Sequence, residues 1–147
     1  MKRVIGSIIA IVALVSMIVL FAVPKRVLPK VHAEDDDAGC TAATLNGPYG
    51  FVLTGTIVGF GPIAIVGVTT FDGAGNESSD QTTNVNGNAF PEHHTGTYTV
   101  NSNCTGSSTI GGHTANFVVL GRGREIQLLV TDHGVVITGN FKRVFPK

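Results

Sequence analysis

The sequence predicts an all-β protein, an eight-stranded antiparallel up-and-down barrel preceded by an N-terminal hydrophobic export helix. From Tyr49 onward, short apolar or threonine-rich runs alternate with clusters of glycine, asparagine and aspartate, which is typical of strands joined by hairpin turns. Within several runs, apolar and polar residues alternate, so that one face of the sheet is buried and the other is solvated. Closing such a sheet on itself removes its two open edges. A two-sheet β-sandwich with the same hairpin order is the alternative.

The N-terminal segment has the pattern of an export signal. Lys2 and Arg3 precede an uncharged, mostly apolar run over residues 4–23, and a small-x-small cleavage motif ends at Ala33. Residues 1–33 are therefore predicted to be a signal peptide, and the protein to be exported to the periplasm or the extracellular space. The run is also long enough to cross a bilayer, so an uncleaved inner-membrane anchor over residues 4–23 is the alternative.

The chain after residue 33 has the length of one domain, divided into an acidic leader over 34–44 and a barrel over 45–147. All ten acidic residues but only five of the ten basic ones lie after residue 33, so this part carries a net negative charge. It offers no basic patch for a nucleic acid. Membrane contact is predicted only through the N-terminal segment, if that segment is not cleaved.

Cys40 and Cys104 are the two cysteines of the chain. An exported protein folds in an oxidising compartment, so the two are predicted to form a disulfide. Free thiols, or a two-thiolate metal site completed by histidine, are the alternatives, although the cysteines lack the short spacing typical of zinc ligands.

Eight strands follow from the spacing of apolar runs and turn residues. The hydrophobic alternation is clearest in the last two, where Ile126 and Leu128 oppose Gln127, and Ile137 opposes Thr138. Residues 86–94 form the longest predicted loop. The predicted strands cover residues 49–57, 63–71, 77–85, 95–101, 105–111, 114–120, 124–131 and 135–143.

The third predicted strand is unusual because residues 77–84 are polar at every position. One interpretation is a protruding or edge hairpin with both faces in water. The other is that this strand gives a hollow barrel one polar wall opposite an apolar one, the usual composition of a small-molecule site. The candidate ligand-binding residues are then Asp80, Thr82, Asn84, Tyr98, Phe117, Ile126 and Phe141.

Histidines supply a candidate metal site. His93 and His94 lie in the longest predicted loop, and His113 and His133 lie in two other turns, so the four could meet if those turns share a barrel rim. Solvated loop histidines are the alternative. No cofactor is predicted. No catalytic residues are predicted either, since no serine lies in a nucleophile-elbow motif.

Three segments stand out, over residues 45–51, 68–76 and 96–106, and the last, Gly-Thr-Tyr-Thr-Val-Asn followed by Cys-Thr-Gly, is the most specific. Together they resemble a group of exported bacterial small β-barrel proteins of uncharacterised function. The resemblance implies the fold and carries no activity. The strand layout is also similar, at the level of architecture alone, to allene oxide cyclase and lipocalin barrels.

These observations predict a non-enzymatic binding or envelope module whose partner is a small apolar ligand or a component of the cell envelope. The alternative is a cyclase-like or isomerase-like barrel enzyme that acts on a small apolar molecule in the lumen. Such an enzyme would need a buried carboxylate or histidine inside the barrel, whereas binding alone would not.

Overall fold

A computed structural model describes residues 39–144 of the protein, and these form a closed barrel of eight antiparallel strands. The predicted export helix, the 4–23 anchor and the acidic run at 34–37 lie outside the described residues. The strands are β1 (Asn46–Ile57), β2 (Gly61–Asp72), β3 (Asn76–Val85), β4 (Asn88–Val100), β5 (Thr105–Ile110), β6 (His113–Leu120), β7 (Glu125–Val130) and β8 (Val135–Arg143).

Each strand pairs with the next, and the first pairs with the last. The closing contact joins β1 to β8, with Phe51 opposite Phe141 in the register. The all-β barrel is therefore confirmed, and the alternative of a two-sheet sandwich is wrong. Because closure leaves β3 hydrogen-bonded to both β2 and β4, the interpretation of β3 as a wet edge strand is also wrong.

The predicted loop over residues 86–94 is wrong, because β4 begins at Asn88. Asn86 (φ 49°) and Gly87 (φ 90°) form a two-residue turn, and both positive φ values suit the twist of a hairpin. Pro91 follows within the strand, where its missing N–H is tolerated. It is tolerated because β4 pairs with β5 only from Gly96 onward, so residues 88–95 pair with β3 alone.

Inward-facing glycines let the strands of this small barrel approach one another. A Cβ added to Gly55 would lie 1.9 Å from the carbonyl oxygen of Val136, and one added to Gly67 would lie 2.4 Å from that of Asp80. No side chain fits at such distances, which is why glycine is used where a sheet bends sharply.

One end of the barrel is closed, and we call it the floor. A short 3₁₀ helix, Ala42–Thr44, lies against this end. The disulfide between Cys40 and Cys104, with Cα atoms 4.9 Å apart, ties the segment to the β4–β5 turn and confirms the predicted pairing. Leu45 and Tyr49 are completely buried here. Within residues 39–144 no helix is long and apolar enough to cross a membrane.

Candidate functional site: the barrel lumen

The barrel is hollow, and its lumen holds a cavity of about 360 Å³. At the end opposite the floor, the cavity is lined by Phe90 and His113, whose side chains are also exposed to solvent. We call this end the mouth. A cavity of this volume is in the range that holds a small organic molecule.

The floor is an aromatic cluster with every hydroxyl engaged. The Phe71 ring packs edge to face against Tyr49 and Tyr98, with centroids 5.3 Å and 5.0 Å away. The Tyr98 hydroxyl lies 2.9 Å from the carbonyl oxygens of both Ala42 and Leu45 and donates to them. Burial raises the pKa of Tyr98. Tyr98 thus anchors the floor, and it lies outside the cavity lining.

Arg143 closes the other side of the floor. Its guanidinium group lies over the Tyr49 ring, 5.2 Å from the centroid, and its Nη2 donates to the Tyr49 hydroxyl oxygen at 2.7 Å. The Tyr49 hydroxyl in turn donates to the carbonyl oxygen of Gly123. These bonds satisfy the polar atoms of the buried aromatic end, as burial requires.

One wall of the lumen is apolar. The rings of Phe51 and Phe141 stack there at 4.7 Å between centroids. Phe117 and Ile126, two of the sequence-predicted lumen residues, line the same cavity. The other apolar residues of this lining include Leu53, Ile57, Ile63, Ile65, Ala115, Leu128, Val130, Val135 and Ile137.

The opposite wall is polar and comes mainly from β3 and β4. Its residues are Thr69, Glu77, Ser79, Gln81, Thr83, Glu92, His94 and Ser108. The predicted division into a polar wall and an apolar wall therefore exists. The residues assigned to the polar wall need correction.

Asp80 and Thr82 lie on the outer face of β3, and the partly exposed Asn84 is outside the cavity lining. The prediction that these three residues line the lumen is wrong. Adjacent residues of a strand point to opposite faces, so the lumen is lined by their neighbours in the sequence. Since both faces of β3 are polar, hydrophobic alternation does not identify the inner one. The β2–β3 turn does identify it, because Phe71 pairs with Glu77 and the two share a face.

A chain of hydrogen bonds runs along the polar wall. The Thr69 hydroxyl donates to the Ser79 hydroxyl at 3.2 Å, and the Ser79 hydroxyl donates to the side-chain Oε1 of Gln81 at 3.2 Å. The Gln81 amide and the Thr83 hydroxyl both donate to Oε2 of Glu92, at 3.4 Å and 2.5 Å. The bond from Thr83 is the main reason that the pKa of Glu92 is lowered, and burial opposes it. Protein donors thus stabilise the ionised form of Glu92.

Glu77 is the deepest charged group of the wall. It is 7% exposed, and Ser108 donates a hydrogen bond to its Oε1. Burial raises the pKa of Glu77 to about 7, and the bond from Ser108 only partly offsets this effect. A carboxyl with such a pKa exchanges its proton near neutral pH. Sequence reasoning missed this residue because it assigned the wrong face of β3 to the lumen.

The four candidate metal-binding histidines do not come together. His93 lies outside the barrel, 2.7 Å from Asp80, and His113 pairs at the mouth with Asp132, also at 2.7 Å. His94 lines the lumen, 3.6 Å from Glu92, and His133 is exposed. Over residues 39–144, no group of three or more histidine, cysteine or acidic side chains is arranged to hold a metal ion.

No family model matches the chain, and no curated protein matches it. One solved structure, a de novo designed fluorescence-activating β-barrel, is similar, with a TM-score of 0.48 and 14% sequence identity. The match covers 73% of this chain and 97% of the designed one.

Proposed function

We propose that this protein is a binding barrel that takes up a small, mostly apolar molecule through its mouth. The observation that carries the proposal is the hollow lumen, about 360 Å³ in volume, with an apolar wall facing a wall of hydrogen-bonding side chains. Burying apolar surface supplies the affinity for such a ligand, and a few polar groups orient it.

The disulfide supports a location outside the cytoplasm. A bond such as Cys40–Cys104 forms and persists in oxidising compartments. Together with the export pattern of residues 1–33, it favours uptake of the ligand in the periplasm or the extracellular space.

A fluorescent dye tests the binding function directly. N-phenyl-1-naphthylamine is uncharged near neutral pH, and its emission rises in apolar surroundings. We expect saturable binding to the native protein. Ala115→Phe, which places a ring in the lumen, should weaken the binding by about tenfold or more. The matched control is Ala64→Phe on the exposed outer face of β2, which should bind as the native protein does.

Absence of saturable dye binding by the native protein would contradict the proposal. So would equal binding by Ala115→Phe. If Ala115→Phe does not fold, Leu128→Phe repeats the test, because Leu128 lines the same cavity and is only partly buried.

A second candidate function rests on Glu77. We propose that its carboxylate removes a proton from one carbon of a bound apolar molecule and that the resulting acid returns it to another carbon, a redox-neutral isomerisation. The support is a buried carboxyl with a pKa of about 7, which suits general acid–base work at neutral pH. We expect cyclohex-3-enone to convert to its conjugated isomer faster with native protein than with Glu77→Gln. Equal rates would rule out this function.

A further inference from the structure

The charges that face the lumen are unbalanced. The cavity is lined by the carboxyls of Glu77 and Glu92 and by the imidazoles of His94 and His113, and no lysine or arginine between residues 39 and 144 belongs to the lining. His113 is paired with Asp132 at the mouth. A ligand with a negative group would therefore meet carboxyls without a fixed cation to receive it.

The two carboxyls differ in the number of hydrogen bonds that the protein donates to them. Glu92 accepts hydrogen bonds from Thr83 and Gln81 and lies beside His94. Glu77 receives one bond, from Ser108 to Oε1. Within residues 39–144, no group donates a hydrogen bond to Oε2 of Glu77. An ionised carboxylate buried with so few donors is costly, and a cation beside it lowers that cost.

Glu77 faces the cavity, and no salt bridge to it is formed within residues 39–144. Phe71 of β2 lies opposite Glu77 in the register. The hydroxyl of Tyr98 donates to two carbonyl oxygens of the floor, so it does not donate to Glu77. Since Glu77 belongs to the cavity lining, a partner for Oε2 has to come from the lumen.

We propose that the lumen selects ligands that join a protonated amine to a compact apolar body, with the ammonium group paired to Glu77. The inference rests on the proposed binding function. The ammonium group donates to Oε2 in a charge-assisted hydrogen bond, while the apolar body lies against the wall that includes Phe117, Ile126 and Phe141.

The pairing makes affinity depend on pH in a defined direction. Only the ionised form of Glu77 pairs with the cation, so the affinity for an amine rises as the pH increases from 5.5 to 8. The side chains that neighbour Glu77 from β2 and β5, Phe71, Thr69 and Ser108, do not titrate. On β4, the titratable residues that share the inner face with Glu77 are Tyr98, Glu92 and His94. Asp72 is the last residue of β2.

Three probes with the same ring system separate charge from shape. They are 1-naphthylmethylamine, 1-naphthylmethanol and 1-naphthoate, measured by isothermal titration calorimetry. At pH 8 we expect the amine to bind about tenfold more tightly than the alcohol, and the carboxylate to bind most weakly. At pH 5.5 the advantage of the amine should shrink several-fold, and the affinity of the alcohol should stay unchanged.

Variants assign the effect to one carboxyl. Glu77→Gln should remove the preference for the amine and its pH dependence, so that the amine and the alcohol bind with similar affinity at both pH values. Glu92→Gln, the same chemical change on the same wall, should retain most of the preference. His94→Gln should retain the pH dependence, because that dependence comes from Glu77.

The outcomes distinguish this inference from the binding function itself. If neither the dye nor any naphthyl probe binds, the binding function is wrong. If the dye binds but the alcohol or the carboxylate equals the amine, the lumen binds apolar molecules and the amine selectivity is wrong. Loss of the preference in Glu92→Gln instead of Glu77→Gln would also overturn the assignment.

Discussion

The carboxyl of Glu77 couples the stability of the barrel to pH. Burial raises its pKa from 4.5 to about 7 in the folded protein. Between these values the folded chain holds a proton that the unfolded chain has released, so stability falls as the pH rises through this range. The stabilisation from this group is complete below pH 4.5 and is lost above about pH 7.

Replacing Glu77 by glutamine should remove this loss. We expect the native protein to have a free energy of unfolding lower at pH 8 than at pH 5 by up to about 3 kcal/mol, and Glu77→Gln to show little of this difference. Urea denaturation at the two pH values measures it. Glu125→Gln, the same chemical change at a partly exposed position of β7, is the control and should behave as the native protein does. An identical pH dependence in native protein and Glu77→Gln would contradict the prediction.

Tyr98 was predicted to bind ligand, and its contacts indicate a structural contribution. Its hydroxyl donates to the carbonyl oxygens of Ala42 and Leu45. Tyr98→Phe should cost about 1–3 kcal/mol, because buried carbonyls lose their donor. Dye affinity should not change, since Tyr98 is outside the cavity lining. Thr97→Val, exposed and next in sequence, is the control for urea denaturation. Weakened dye binding by a folded Tyr98→Phe protein would contradict this prediction and would indicate that Tyr98 contacts the ligand.

At the scale of the strands, glycines let neighbouring strands approach closely, and this close approach sets the curvature of the barrel wall. A Cβ at Gly67 would overlap the backbone of β3 at Asp80. Gly67→Ala should therefore cost more than about 3 kcal/mol, as large backbone clashes do, whereas Val68→Ala, exposed on the same strand, should cost about 0.5 kcal/mol or less. Thermal denaturation followed by circular dichroism compares the two. Equal melting temperatures would show that the barrel yields at this position.

The number of strands and most of their limits could be predicted because hydrophobic alternation and glycine-rich turns act locally. β7 and β8 illustrate this, with Ile126 and Ile137 facing inward as the alternation predicts. The start of β4 could not be predicted from composition, since Pro91 and neighbouring charged residues are typical of loops. The Asn86–Gly87 pair was the signal available, because it favours a tight hairpin turn.

The candidate site was predicted in outline, and only its apolar residues were predicted correctly. Phe117, Ile126 and Phe141 lie in the cavity lining as predicted. The polar wall was assigned to the wrong face of β3. Glu77, Asp80 and their neighbours are all polar, so hydrophobic alternation does not show which face of this strand points into the lumen. The depth of Glu77 depends on the pairing of β3 with β2 and β4, and sequence periodicity carries no information about that pairing.

At the scale of the whole molecule, the disulfide links the segment before β1 to the β4–β5 turn. Cys40 and Cys104 are 64 positions apart, and a bond that closes such a loop stabilises a folded chain by about 2–4 kcal/mol. Replacing both cysteines by alanine should lower the free energy of unfolding by this amount. The affinity for the dye should persist, because the disulfide lies at the floor.

Urea denaturation of the double variant, beside native protein with and without reductant, measures the contribution. Reduced native protein is the control and should match the variant. A variant as stable as oxidised native protein would show that the floor holds without the bond.

The positions of the two ends of the described chain have a practical consequence. The backbone N–H of Cys40 bonds to Ser102, and that of Val144 bonds to Pro48, so both ends leave the barrel beside the floor. Any tether joined to either end, whether a surface, a reporter protein or a second domain, is attached at the far side from the mouth. A tether attached at residue 39 or residue 144 is therefore remote from the entrance, so the barrel can be displayed or immobilised through either of these positions without blocking its ligand.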